Sequence, residues 1–146
     1  MVNLRDIDKD NYEAICELDV AKEQQELVAC NMWSLVEAAY NGNHTTRAIY
    51  KGSTPVGMFM WVKETNHKVS IWRFMVDQNY QNEGIGRLAM SLALDEIKSA
   101  NCTINEIEIC YNPLNPVAKE FYGSFGFIET GMDEDNEDML AVIKLN

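Results

Sequence analysis

The most constraining feature of this sequence is a glycine-containing loop between a predicted strand and a predicted helix. The strand is predicted over residues 68–77, and residues 84–98 carry apolar side chains at helical spacing. Between them the chain reads Gln81-x-x-Gly84-x-Gly86. Glycines allow a tight turn and a close approach of backbone to ligand, and the free amides at a helix start attract anions. The loop therefore suits a pyrophosphate group.

Two better-known phosphate-binding motifs do not fit this loop. A P-loop requires a lysine followed by serine or threonine after its last glycine, whereas Arg87 and Leu88 follow Gly86. A dinucleotide-binding fingerprint requires three spaced glycines within a βαβ unit and an acidic residue near the end of the second strand. The loop alone leaves two interpretations open, a pyrophosphate site and a structural turn at the start of a helix.

The hydrophobic pattern of the whole chain predicts a single α+β domain over residues 1–146. Predicted strands cover residues 2–6, 46–50, 56–63, 68–77, 106–111, 127–132 and 139–145. Predicted helices begin after Asp10-Asn11 and cover residues 29–40, 84–98 and 116–125, with Leu35, Val36 and Ala39 facing inward. This order, β-αα-βββ-α-β-α-ββ, predicts a central mixed, mostly antiparallel sheet flanked by helices. The acidic run 133–138 is interpreted as a solvated hairpin loop.

A second segment, residues 115–127, follows a predicted strand and reads Asn-Pro-Val-Ala-Lys-Glu-Phe-Tyr-Gly-Ser-Phe-Gly-Phe. The two segments together resemble the GNAT superfamily of N-acetyltransferases. The first is similar to the family's acetyl-CoA motif, (Gln/Arg)-x-x-Gly-x-(Gly/Ala), and the second to its Asn-x-x-Ala-x-x-(Phe/Leu)-Tyr…Gly-Phe motif. The resemblance covers nearly the whole chain, because the order of elements also matches the GNAT fold.

The resemblance implies acetyl-CoA as co-substrate and no metal. In the family, the backbone of the strand before the loop holds the pantetheine arm, and the loop amides hold the pyrophosphate. The matching positions are Phe74, Met75, Val76, Gln81, Asn82, Glu83, Gly84, Ile85, Gly86, Arg87 and Asn115. Arg87 either contacts a phosphate or is a surface arginine, and Asn115 either contacts CoA, caps the next helix or does both. Because an acid in a phosphate loop repels charge, the Glu83 side chain is expected to point to solvent.

Tyr122 matches the general acid of the family. Direct attack of an amine on the thioester requires a proton for the departing thiolate, which a phenol can donate. The alternative is a buried aromatic that packs beside Phe121 and Phe125. The attacking amine must also lose a proton, and no residue matches a family base; His44 and His67 fall in predicted loops and are interpreted as surface residues.

The amine is predicted to be a small polyamine. The formal net charge is −11, and an acidic surface concentrates cationic ligands. Residues 23–31, 34–38, 47–50 and 72–77 resemble bacterial spermine/spermidine acetyltransferases in order and spacing. Because a polycation requires carboxylates and aromatic faces, five residues are predicted to line its site: Glu26, Glu37, Tyr40, Trp61 and Trp72. The alternative for each glutamate is a solvated surface acid, and the alternative for each aromatic residue is a place in the core.

The features that the sequence lacks indicate which other partners the protein does not have and where it is located. The negative charge excludes a nucleic-acid footprint, and no apolar run approaches the roughly 20 residues of a membrane helix. The charged N-terminus and four cysteines without CxxC spacing indicate a cytoplasmic protein with reduced thiols. A homodimer is possible. Rival functions are acetylation of another amine (a peptide, an amino acid or an aminoglycoside) and a non-catalytic acyl-CoA sensor.

Overall fold

The computed structural model describes residues 1–25 and 30–145. The strands are β1 (Val2–Asp6), β2 (His44–Lys51), β3 (Thr54–Thr65), β4 (Lys68–Val76), β5 (Glu106–Tyr111), β6 (Ile128–Met132) and β7 (Met139–Lys144). The α-helices are α1 (Tyr12–Glu17), α2 (Asn31–Tyr40), α3 (Ile85–Ala100) and α4 (Ala118–Gly123). Two short 3-10 turns cover Lys22–Gln24 and Gln78–Tyr80. This order of helices and strands confirms the predicted one.

All seven strands form one sheet in the order β1-β2-β3-β4-β5-β7-β6. Every neighbouring pair is antiparallel except β4 and β5, which run parallel. Helix α3 is the crossover that this parallel pair requires, because a tight turn can join only antiparallel neighbours. The predicted mixed, mostly antiparallel sheet with flanking helices is confirmed.

The alternation of side chains along the strands gives the sheet two different faces. On one face, which we call the α3 face, Phe59, Ile107 and Ile109 are buried with residues of α3 in the larger core. On the opposite face, the α1 face, a smaller cluster of Ile15, Ala48, Tyr50, Met58 and Met75 lies beneath α1 and α2. Within the described chain, α1 and α2 contact β2 and β3, at the β1 side of the sheet.

Helix α2 does not bury the face that its sequence predicts. Val36 and Ala39 are exposed, and of the three predicted inward residues only Leu35 packs against the core. The fully buried positions are Asn31 and Ser34. The Asn31 amide donates to the carbonyl oxygen of Ile15 at 2.8 Å, so a polar contact with α1 fixes the rotation of the helix. No helix in the described part of the chain is long and apolar enough to cross a membrane.

Candidate active site

The sheet divides where β4 and β5 stop pairing. Their parallel register runs from Lys68 opposite Glu106 to Ile71 opposite Ile109. β4 then continues through residues 72–76 without a partner on that side among the described strands. The register between β3 and β4 shifts at the same point, which leaves Trp72 as an extra residue in β4. Such a bulge bends and twists its strand, which explains why β4 diverges from β5 at this point. We call the gap between the two strands the split.

The loop after β4 has the geometry of an anion site at a helix start. Asn82 has a φ of 66° and Gly84 a φ of 81°, so the chain turns through two left-handed residues before α3. The first backbone hydrogen bond of α3 joins the Leu88 amide to the Gly84 carbonyl. The amides of the preceding residues 85–87 therefore have no intrahelical acceptor. A Cβ on Gly86 would make only ordinary contacts of 3.8 Å or more, so internal packing does not require glycine there.

Two side chains hold this loop in place. The Gln81 amide donates to the Val76 carbonyl oxygen at 2.9 Å and to Gln24 Oε1 at 3.1 Å. Asp77 is buried, and its carboxylate accepts from the amides of Asn79 and Asp19. The side chain of Gln81 thus supports the loop from within. The role of Asp77 was missed at the sequence level, although an aspartate at a strand end is a common N-cap.

The charged residues of the loop are paired within the protein. Glu83 is partly exposed, as expected, and its Oε1 lies 3.0 Å from Lys51 Nζ, which offsets its charge beside the helix start. Arg87 donates to Ser124 Oγ at 2.7 Å, and its guanidinium lies 4.9 Å from the centre of the Phe125 ring. Arg87 thereby joins α3 to α4.

Helix α4 lies over the start of α3 and is fixed by apolar contacts. The side chain of Asn115 accepts from the amides of Val117 and Ala118 at 3.1 and 3.3 Å, just before α4, whose N-cap position is Val117. The rings of Phe74 and Phe121 lie 6.3 Å apart and connect β4 to α4. Met75 and Val76, the other two strand positions predicted to hold CoA, are buried on opposite faces of the sheet.

Tyr122 is held beside the end of β5 by three aromatic neighbours. Its ring stacks on Tyr111 with centroids 5.7 Å apart, and the edges of Phe121 and Phe127 complete its surroundings. Burial, followed by the neighbouring Cys110 and Tyr111, raises the pKa of Tyr122 well above the ordinary 10.0 of a phenol. The raised pKa favours the protonated form of Tyr122, and no hydrogen bond from another described residue occupies its hydroxyl, so the phenol is available as a donor.

A pocket of about 310 Å³ lies at the base of the split, where β4 and β5 still pair. We call it the acidic pocket. It is lined by Glu64, Lys68, Ser70, Ile71, Trp72, Glu108, Ile109, Cys110, Asp133, Glu134 and Leu140. The Lys68 ammonium lies 3.1 Å from a carboxylate oxygen of Glu64 and 3.1 Å from one of Glu108. Burial, followed by the negative charge of Asp138, raises the pKa of Cys110 to about 11.

Of the four predicted substrate residues that the structure describes, only Trp72 lines the acidic pocket. Trp61 belongs to the core on the α3 face, where its indole donates to Glu96 Oε2 at 3.1 Å. Strand alternation and the bulge place the two tryptophans on opposite faces, so Trp61 does not reach the acidic pocket. Its burial in the core agrees with the alternative interpretation of this residue.

The other three predicted substrate residues lie away from the acidic pocket or outside the described residues. Glu37 on α2 pairs with Arg73, with 3.3 Å between Oε1 and Nη2, and is not a free carboxylate. Tyr40 ends α2 and is 85% exposed. Glu26 lies outside the residues that the structure describes. His44, predicted in a loop, is in β2, with its ring 5.1 Å from that of Trp72.

The carboxylates of the acidic pocket were missed by reasoning from the sequence. The prediction for residues 106–111 is a strand without a site role for Glu108, and the run 133–138 is interpreted as a solvated loop. The run does join β6 to β7, but Asp133 and Glu134 also line the pocket. These carboxylates could have been found only by predicting that β5 lies next to β7, because that placement brings the two acidic segments together.

Comparison with known families decides the class. The model of the acetyltransferase (GNAT) family matches residues 3–127. The chain belongs to the GNAT acetyltransferase family. This GNAT protein is thus an acetyl-CoA-dependent N-acetyltransferase, and the function class implied by the two sequence motifs is confirmed.

Individual relatives of this GNAT acetyltransferase are distant. A spermine/spermidine N(1)-acetyltransferase of Bacillus subtilis (strain 168) is 23% identical, with 99% of each chain covered. The structure of a spermidine N-acetyltransferase from Vibrio cholerae, in complex with CoA and spermine, superposes with a TM-score of 0.78 at 14% identity. That match covers 98% of this chain and 95% of the other.

A third relative illustrates how widely the fold is used. Arabidopsis thaliana Naa50, in complex with the bisubstrate analogue CoA-Ac-MVNAL, superposes with a TM-score of 0.70 at 22% identity over 97% of both chains. At such identities the two structural matches establish the fold alone.

Proposed function

We propose that this GNAT acetyltransferase transfers the acetyl group of acetyl-CoA to a primary amine of a small polyamine such as spermidine or spermine. The observation that carries the proposal is the split between β4 and β5 with Tyr122 beside it. The net charge of −11 and the names of the B. subtilis and V. cholerae relatives support the choice of polyamine.

The cofactor residues act mainly through the backbone. We expect the free amides of residues 85–87 to hold the pyrophosphate, together with the loop positions Gln81, Asn82, Glu83 and Gly84. The unpaired edge of β4, over Phe74, Met75 and Val76, is suited to hydrogen bonds with the amide-containing pantetheine arm. Asn115 and Arg87 act by positioning the helices: Asn115 binds the amides at the start of α4, and Arg87 joins α3 to α4.

The chemistry is a direct transfer between two substrates. Acetyl-CoA supplies the thioester. The neutral amine attacks its carbonyl carbon, so that a C–N bond forms and the C–S bond breaks. The Tyr122 hydroxyl then donates its proton to the thiolate of CoA, and the proton of the attacking nitrogen leaves to a base or to water. A sensor has no use for such an acid, so Tyr122 favours the enzyme over the non-catalytic alternative.

The substrate class is tested by the rate of CoA thiol release with acetyl-CoA and a panel of amines. The panel contains spermidine, spermine, putrescine, a peptide with a free N-terminus and a lysine, and an aminoglycoside. We expect the highest kcat/KM with spermidine or spermine. Turnover confined to the peptide or the aminoglycoside would refute the polyamine assignment and keep the enzyme class. Tight acetyl-CoA binding without turnover on any amine would support the sensor.

A further inference from the structure

The acidic pocket contains a buried hydroxyl without a partner. Ser70 on β4 is only 3% exposed, and its Oγ makes no hydrogen bond with any residue that the structure describes. Buried polar groups are almost always satisfied, because leaving one unpaired costs free energy. Since Ser70 also lines the pocket, its hydroxyl is available to a ligand with a hydrogen-bond donor or acceptor.

The charge of the pocket selects the kind of ligand. Four carboxylates and one ammonium group line it, which leaves a net excess of three negative charges. The Lys68 ammonium already forms ion pairs with the carboxylates of Glu64 and Glu108. Within the described part of the chain, Asp133 and Glu134 form no ion pair. Because like charges gathered around one cavity attract a counter-charge, the lining favours a cationic ligand.

The residues that line the pocket favour an organic cation over a metal ion. Nowhere among the described residues do three or more His, Cys, Asp or Glu side chains stand close enough together to hold one metal. The pocket is instead lined by residues of β4 and β5 that include the aromatic side chain of Trp72. The edge-on contact with His44 holds that ring in place, and an aromatic face attracts an alkylammonium group.

The pocket is continuous with the split. Ile71 and Ile109, the last paired residues of β4 and β5, both line it. Cys110, the next residue of β5, also lines it and directly precedes Tyr111, whose ring stacks on that of Tyr122. A flexible molecule can therefore place one end beside Tyr122 and the other end in the pocket.

We propose that the acidic pocket binds the ammonium group of a diamine or polyamine that is remote from the nitrogen being acetylated. Ser70 Oγ accepts a hydrogen bond from this ammonium, Asp133 and Glu134 balance its charge, and Trp72 covers its methylene chain. The inference rests on the proposed function and adds to it a requirement for a second positive charge in the substrate. Monoamines lack the group that the pocket binds.

The test compares two double variants of the same hairpin loop. Asp133→Asn with Glu134→Gln removes the two unpaired carboxylates of the pocket, and the asparagine can still accept from the Glu137 amide as Asp133 does. Asp135→Asn with Glu137→Gln removes two exposed charges outside the pocket. Because both double variants change the net charge equally, they separate local binding from general attraction.

The expected result is a selective loss with polyamines. For the pocket variant, kcat/KM with spermidine falls about tenfold, mainly through KM, while kcat/KM with butylamine stays within about twofold. The loop control retains the wild-type ratio of spermidine to butylamine. Ser70→Ala raises KM for spermidine about threefold without lowering the melting temperature, since the hydroxyl has no protein partner to lose.

Three outcomes are decisive. Equal effects of the two double variants, or a wild type that uses butylamine as well as spermidine, would overturn the pocket assignment. If the wild type acetylates no polyamine at all, the proposed function fails. The pocket is then judged by calorimetric binding of spermidine to the CoA-saturated protein. Binding that the pocket variant weakens and the loop control does not would support the pocket, whereas no binding would refute it.

Discussion

At the scale of single residues, the protonation state of Tyr122 decides how it can act. Burial beside Cys110 and Tyr111 raises its pKa above the ordinary 10.0 of a phenol. A raised pKa keeps the neutral phenol, the form that can donate a proton, populated to higher pH than in water. Tyr122 is thus able to donate throughout the range in which an alkylammonium substrate loses its own proton.

This protonation state makes a prediction for the pH–rate profile. The kcat/KM with spermidine should rise with pH as the attacking amine becomes neutral. Because the pKa of Tyr122 is raised, its ionisation should produce no decline at or below about pH 10. Initial rates from pH 6 to pH 10 at constant ionic strength check this, with circular dichroism as the control for folding. An alkaline decline below pH 10 in the folded protein would contradict the assignment.

Trp61 and Trp72 lie close together in the sequence but on opposite faces of the sheet. Trp61 and Trp72 both look like candidates for an amine site, but only Trp72 reaches the acidic pocket. Trp61 packs beneath α3 with Glu96. Alternation along a single strand cannot show this difference, because the bulge in β4 changes which face the following residues occupy.

At the scale of elements, the close approach of β3 and β4 depends on one glycine. A Cβ added to Gly57 would lie 2.3 Å from the carbonyl oxygen of Met75, a backbone atom that cannot move alone. Met75 lies in the segment of β4 that borders the split. Glycine at position 57 therefore allows the strand beside the proposed CoA site to keep its position.

We predict that Gly57→Ala lowers the free energy of unfolding by about 1–3 kcal/mol, because the two strands must separate to admit the methyl group. Gly42→Ala is the matched control: nothing lies within 4 Å of its added Cβ, and the reduced freedom of the unfolded chain makes this change neutral or slightly stabilising. Urea unfolding of both variants checks this. Equal stability of the two would contradict the strand-contact argument.

Most elements could be predicted from sequence because their signals are local. The bounds of β1 and β5 agree with their predictions, since alternation and turn residues define both strands. The inward face of α2 was wrong, because the buried Asn31 and its contact with Ile15 determine the rotation of that helix. Periodicity records apolar side chains and carries no information about such polar contacts.

At the scale of the whole molecule, the site results from which strands lie next to each other. The glycine loop and Tyr122 belong to motifs that local sequence reveals. The acidic pocket combines β4, β5 and the loop between β6 and β7, and only the strand order brings these together. The split was equally beyond sequence reasoning, because it depends on where a parallel pairing ends.

The overall charge makes a prediction for salt dependence. With a net charge of −11, the protein should attract a trivalent amine more strongly than a monovalent one, and salt should screen this attraction. We expect kcat/KM with spermidine to fall about tenfold between roughly 20 and 500 mM NaCl, and that with butylamine to fall less. Rates measured with both amines across this series check it. Parallel curves for the two amines would contradict a role for charge in substrate capture.

The central claim is that acetyl transfer takes place at the split, with Tyr122 as the acid. The most direct test is the rate of CoA release with spermidine by Tyr122→Phe, beside Tyr111→Phe as the matched loss of a hydroxyl from the stacked neighbour. We predict that kcat falls about 10²-fold or more for Tyr122→Phe, with unchanged acetyl-CoA binding, and stays close to wild type for Tyr111→Phe. A Tyr122→Phe variant that retains wild-type kcat would contradict the claim.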